Sequence, residues 1–492
     1  MLIAPAAAEA LPDRVYVNAS YSDETPDYGY LNFSSIQDAI NGVEEGGEVW
    51  VYNGTYNESV VIDRSMTVTT VSYLECPGLD GVTLDAMGAH TGVEIIASNV
   101  NFSGFKVENA SGVGIYAHGA DAIEIIHNNV SILKEIYAIT YGILVQDGTD
   151  VCIDSNEVRA IGSSARAGIA VVEVTDACIY DNYIVAVSEH QESTAVGVNP
   201  ITIRVAGLED DPVFSVEDAA PPIKSFGVLI IESADVVVES NRVVSVGACT
   251  PEEPDLHRSA VEAWGILSSG DLKNLKILEN NVTVVGVAGD AARTVGIRGV
   301  GDLALVQNNT VRVVTESRVV LPVGIVISDA EKGQVLDNEV EVEATSIGTP
   351  DGEGSGQESA GIIAFASPKA QVLRNDVQYT LIVMDAGQLA LTSTEGIYIG
   401  GCDESRVSEN IAIIQTGIFN LPVDGDESTE DEGSLTLGVA RVKGIDVEVS
   451  DEPEICDNVV HAFGTVMTYD ETTGDLNVGA LSALVLTGIH VW

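Results

Sequence analysis

Gly142-Ile143-Leu144-Val145, followed by Val151-Cys152-Ile153-Asp154-Ser155-Asn156-Glu157-Val158, is one phrase of a repeat. The next is Gly168-Ile169-Ala170-Val171 with Ala177-Cys178-Ile179-Tyr180-Asp181-Asn182-Tyr183-Ile184. In both, a glycine opens an apolar run and an asparagine follows 14 positions later. The phrase starts at Gly114, Gly142, Gly168, Gly227, Gly265, Gly296, Gly324, Gly361, Gly396 and Gly444. The partner asparagines are Asn128, Asn156, Asn182, Asn241, Asn280, Asn309, Asn338, Asn375, Asn410 and Asn458. Eight pairs keep the spacing of 14, whereas successive glycines lie 26 to 59 apart. A fixed core with variable inserts is the pattern of a stacked solenoid whose loops leave at one corner.

The apolar positions fix the local structure. Ile125, Ile153, Ile179, Val238, Val335 and Val372 lie 11 residues after their glycines, and Val130, Val158, Ile184 and Val243 lie 16 after. The position between them, 13, is polar: His127, Ser155, Asp181, Ser240, Asp337, Arg374, Glu409 and Asp457. Apolar residues two and five apart suit short strands joined by bends, not a helical stripe. One unit cannot bury its own apolar row, so units must stack. The asparagine is expected at a bend that tolerates left-handed backbone, with its amide bonding up and down a column of rungs about 4.8 Å apart. The glycine is expected at a corner too tight for a Cβ. The fold class is therefore all-β: a right-handed parallel β-helix of about twelve coils with hairpin-like inserts at one corner.

At the start, Ser35-Ile36-Gln37-Asp38-Ala39-Ile40-Asn41-Gly42 reads as a short amphipathic helix, and Gly46–Tyr52 as the first strand. Asn53-Gly54-Thr55-Tyr56-Asn57-Glu58 and Val60-Val61-Ile62 follow. Here the chain resembles the NosD-like, pectate-lyase-like parallel β-helix superfamily, in which such a helix covers the open bottom of the solenoid. The likeness runs from about Leu31 to Trp492 and implies fold more than activity, because the superfamily mixes lyases, hydrolases, epimerases, adhesins and surface proteins. The domain reading is 1–10 as a signal-peptide remnant with an Ala8-Glu9-Ala10 cleavage site, 11–70 as cap and first coil, and 71–492 as one solenoid.

The chain carries 75 acidic and 22 basic residues, a formal net charge of −53. A phosphate backbone would be repelled, which excludes nucleic acid as a partner. No stretch is long enough to span a membrane. Nine Asn-x-Ser/Thr sequons, at Asn18, Asn32, Asn53, Asn57, Asn101, Asn109, Asn129, Asn281 and Asn308, point to a glycosylated exterior. Together with the leader-like start they place the protein outside the cell. Cys152 and Cys178 occupy equivalent positions in consecutive units, and stacking brings them within disulfide range. The other four cysteines, Cys76, Cys249, Cys402 and Cys456, fall at corners or in inserts. The acidic run 424–432 lacks EF-hand spacing, so a weakly held Ca²⁺ is the most it suggests, and no other cofactor or metal is expected.

Enzymes of this fold need paired acid–base groups on neighbouring coils. The row two residues after each glycine reads Tyr116, Leu144, Ala170, Leu229, Leu267, Arg298, Val326, Ile363, Tyr398 and Asp446. It is largely apolar, and the seven histidines do not share a column, so no catalytic residue is assigned and the protein is expected not to be an enzyme. An exposed apolar stripe would instead mark a contact surface. Gly488, Ile489, Val491 and Trp492 begin another coil and form a candidate assembly edge. With the acidity, sequons and cysteines, these features resemble archaeal surface-layer or sheath proteins. The expectation is a secreted, self-assembling envelope protein whose partners are its own copies, other envelope proteins or glycans. The alternative is a polysaccharide-active lyase, hydrolase or epimerase, or a glycan-binding adhesin.

Overall fold

The computed structural model describes residues 10–75, 81–132, 140–162, 166–189, 223–248, 260–289, 291–347, 359–384, 389–420, 437–448, 450–470, 475–478 and 483–491. Each coil runs through three strand faces. In the coil of Gly142 a single strand, Thr140–Asp154, bends through the first two faces, and Glu157–Gly162 forms the third. The first two faces belong to a 26-stranded sheet and the third to a 14-stranded sheet. Pairing from coil to coil is parallel and places like residues together: Ile143 on Ile169, Ile153 on Ile179, Val158 on Ile184. These side chains are fully buried in one continuous core. The right-handed parallel β-helix expected from the repeat is the observed fold.

Stacking in register explains the constancy of the repeat glycine. A Cβ on Gly142 would sit 2.1 Å from Val158 Cγ1 and 2.6 Å from the carbonyl oxygen of Gly168. Neither can yield, since one belongs to the core and the other to the next coil's backbone. The asparagines are buried and bonded in both directions. Asn156 donates its backbone N–H (2.9 Å) and its Nδ2 (3.0 Å) to Oδ1 of Asn182. Its Nδ2 also donates to the Ile125 carbonyl of the preceding coil at 2.8 Å. The same bonds recur from Asn128 to Asn458.

One detail differs from expectation. The left-handed residue is not the asparagine but the polar residue before it: His127, Ser155, Asp181, Ser240, Asp337, Arg374, Glu409 and Asp457 all have φ between 49° and 59°. Left-handed backbone costs a residue with a Cβ on the order of 1 kcal/mol, and Asn bears it better than Glu. Glu409→Asn is therefore expected to raise stability by about 0.5–1 kcal/mol, seen as a higher denaturant midpoint with unchanged slope.

The solenoid also starts earlier than expected. Arg14–Val17 lies beside Gly47–Val51 in parallel register and precedes it as a strand of the stack. The helix Ile36–Gly42 buries Ile36, Ala39 and Ile40. Its N-terminus is held by the Glu58 carboxylate, which accepts from Ser35 Oγ (2.8 Å), Ile36 N (2.8 Å) and Gln37 N (3.1 Å). Gln37 exchanges two bonds with the Val61 backbone, at 2.7 and 3.1 Å. This ties the helix motif to the strand after it. Glu58→Ala orphans two helix N–H groups, with an expected cost of about 2 kcal/mol and early loss of amide protection over 35–42.

The inserts leave at one corner as extensions of strands. Third-face strands such as Tyr183–Glu189 run outward, and first-face strands such as Ile223–Ile231 bring the chain back. Both halves stack in register, Val185 on Val244 and Ile223 on Val261, so the arms form a two-layered fin. Ser225 with Ser245, and Thr394 with Thr416, bond across it at 2.9 Å. One of the hairpin-like inserts is seen directly, with Met467–Asp470 pairing antiparallel with Asp475–Val478.

Candidate active site

The bend at each repeat glycine turns two rows of side chains away from the interior: the residue before the glycine and the residue two after it. They build a second apolar cluster, including Tyr141, Phe226, Trp264, Leu144, Leu229 and Leu267. The stripe expected to be exposed for lateral contacts is thus mostly buried, because the two rows pack on one another.

Both rows change character in the coils of Gly396 and Gly444. Before the glycines stand Glu395 and Lys443, paired in register; two after them stand Tyr398 and Asp446, also in register. Two residues further on, Glu448 pairs with Gly400. Lys443 Nζ bonds Asp446 Oδ2, lies 3.3 Å from Glu395 Oε1 and 3.7 Å from Glu448 Oε1. The Tyr398 hydroxyl donates to Glu448 Oε2 at 3.4 Å. Side-chain exposure is graded: 0% for Asp446, 10% for Lys443, 18% for Glu395 and 38% for Glu448. Exposure thus rises from Asp446, which is buried, to Glu448, which is open to solvent.

Charge crowding shifts the groups. Burial pushes the Glu395 carboxyl up to about 6; the Lys443 ammonium opposes this, while Asp446 and Glu448 reinforce it. Burial also raises the Tyr398 phenol to about 12, with Glu448 adding to the effect. For Lys443, burial works against the charge, but the bonds to Asp446 and Glu395 prevail and hold it above the ordinary lysine value. A carboxyl that keeps its proton near pH 6, beside an accessible carboxylate, is an acid–base pair in the chemical sense. The sequence reading passed over it because it followed one row and not the row before the glycine, where Glu395 and Lys443 stand.

The other sequence-derived positions fall as follows. Cys152 and Cys178 are register neighbours, as the repeat implies, and the structure holds both as free thiols. Burial, then Asp154 and Cys178, raises Cys152 to about 11. Cys402 is core, its Sγ facing the Ala364 and Gly400 carbonyls. All nine sequon asparagines are half-buried or exposed. Gly488, Ile489 and Val491 lie in strand Ala483–Val491, paired with Leu437–Glu448, while Trp492, the acidic run 424–432, Cys76, Cys249 and residues 1–9 lie outside the described residues. No described helix is long and apolar enough to cross a membrane.

No family model and no curated protein matches the chain. Solved structures do. DFA-IIIase from Arthrobacter chlorophenolicus A6 without its lid is 12% identical, covering 82% of this chain and 94% of its own, with a TM-score of 0.36. Polygalacturonase from Erwinia carotovora ssp. carotovora is 10% identical over 82% and 95%, at 0.26. The pectin methylesterase from Aspergillus niger is 11% identical over 67% and 86%, at 0.24. At this identity the likeness speaks for fold alone.

The expectation that the chain is not an enzyme is corrected. The three structures just named carry the names of enzymes. The described residues also hold, at Glu395, Tyr398, Lys443, Asp446 and Glu448, the acid–base groups that expectation took to be missing. The surface-layer or sheath role draws no support from these structures.

Proposed function

We propose that the protein is a secreted carbohydrate-active enzyme that cleaves glycosidic bonds at the Glu395–Lys443–Glu448 cluster. The observation that carries this reading is the pairing of a half-open carboxylate, Glu448, with a desolvated carboxyl, Glu395, around one lysine. Glycoside cleavage needs one carboxyl that is still protonated at working pH and a second that is ionised. Glu395 would protonate the leaving oxygen. Glu448, the most exposed of the three, would receive the proton of the attacking water, with the Tyr398 hydroxyl orienting it. Asp446 is fully buried and reaches neither water nor sugar, so it acts through Lys443, holding the ammonium between the two working carboxyls.

The test is release of new reducing ends from a panel of soluble oligosaccharides. Wild-type protein is expected to cleave at least one of them. Glu448→Gln should be slower by about a hundredfold or more, the usual contribution of a positioned base. Retention of a glycan without cleavage, or equal rates for the two proteins, overturns the proposal.

A further inference from the structure

The surroundings of the solvent-exposed Glu448 bear on the sugar the cluster would accept. On one side the row two after each glycine leads up to it as Val326, Ile363 and Tyr398, side by side in register. Ile363 is buried, so the surface offered to the C–H face of a pyranose is the half-buried Tyr398 ring, with half-buried Val326 two coils before it. On the other side the groups are acidic. Lys443 is already engaged by Asp446, Glu395 and Glu448, so its ammonium is committed and does not reach out to an anionic substrate. Beyond the cluster the whole chain carries a net charge of −53, a field that repels polyanions and concentrates polycations.

Resting on the reading that this cluster cleaves glycans, we infer that its substrate is a glycan without carboxylates that bears protonated amino groups, as in a de-N-acetylated hexosamine polymer. A bound ammonium would lie toward Glu448, whose carboxylate is the one open to solvent, while the ring carbons cover Tyr398. A uronate would place its carboxylate against Glu448, where the nearest cation among the described side chains, Lys443, is already engaged by three carboxylates. Like charges held that close in a partly dry site are strongly disfavoured.

Three probes of matched length decide the matter: chitosan oligosaccharides, their fully N-acetylated counterparts, and oligogalacturonates. The expected kcat/KM for the chitosan series is at least tenfold above the acetylated series, with no turnover of the uronates. The chitosan preference should shrink as salt rises from 0.05 to 0.5 M, because attraction at the half-exposed carboxylate is screened. Glu448→Gln should compress the ratio between the two hexosamine series whatever its effect on absolute rate. Equal rates on amine-bearing and acetylated sugars, or preference for uronates, overturn the inference while leaving glycan cleavage standing. Absence of turnover on every glycan, in wild type and Glu395→Gln alike, overturns the underlying reading instead.

Discussion

Replacing Glu395 with Gln is expected to lower glycan turnover at least a hundredfold while the protein remains folded. Glutamine keeps the shape and can still bond to Lys443, but it has no proton to give. The pH profile adds a test that a merely structural role would not pass. Glu395 holds its proton up to about pH 6 because it is buried and faces two other carboxyls. Wild-type activity should therefore fall as pH rises through about 6, and the residual activity of Glu395→Gln should lack that limb. Stability follows the same direction. A glutamate whose folded pKa lies above its unfolded value of 4.5 gives its full contribution below that value and loses it as pH rises through about 6. Between pH 4.5 and 7 the wild type should lose about 2 kcal/mol relative to Glu395→Gln, read from paired denaturant titrations. Parallel pH dependences of the two proteins would remove Glu395 from its assigned role.

Asn309→Ala is the second large effect, and it is one of stability. The substitution removes the acceptor for Asn280 N (2.9 Å) and Asn280 Nδ2 (3.0 Å). It also removes the donor to the Ile277 carbonyl (2.9 Å) and to Oδ1 of Asn338 (3.0 Å). Asn280 and Asn309 are both almost wholly buried, so water cannot replace these partners. Leaving a buried polar group unpaired costs 1–3 kcal/mol, and more than one is orphaned here; the expected loss is about 3–5 kcal/mol. Asn281→Ala is the matched control. Its side chain is exposed one residue away, and its removal should change stability by less than about 0.5 kcal/mol. A loss at Asn309 no larger than at Asn281 would show that the column contributes nothing.

Much of the solenoid was legible because its period is enforced by contact. Gly142 cannot bear a Cβ beneath Val158, and each asparagine amide needs another at the same height, so both residue types recur at a fixed offset. The bend was misplaced by one residue for an equally physical reason. A left-handed backbone can be borne by His127, Arg374 or Glu409, which carry no sequence mark of it, while the conspicuous asparagine is kept for its amide. The cap was visible as a helix, but Glu58 as the acceptor of its first N–H groups was not, because a carboxylate 22 residues beyond Ile36 gives no local signal. The candidate cluster was hidden differently. It arises where two outward rows meet, and a reader following one row sees Tyr398 and Asp446 without Glu395 and Lys443.

The bonds of the asparagine column also have a direction. Each main-chain N–H is accepted by the carboxamide of the coil that follows, never by that of the coil before. Injury to one coil should therefore spread unevenly. Mutating Asn309 should accelerate amide exchange at Asn280 on the leading side and leave the Asn338 amide, whose acceptor is Asn375, almost as slow as before. The spine would fray toward the chain's beginning, like a zipper whose teeth all lean one way.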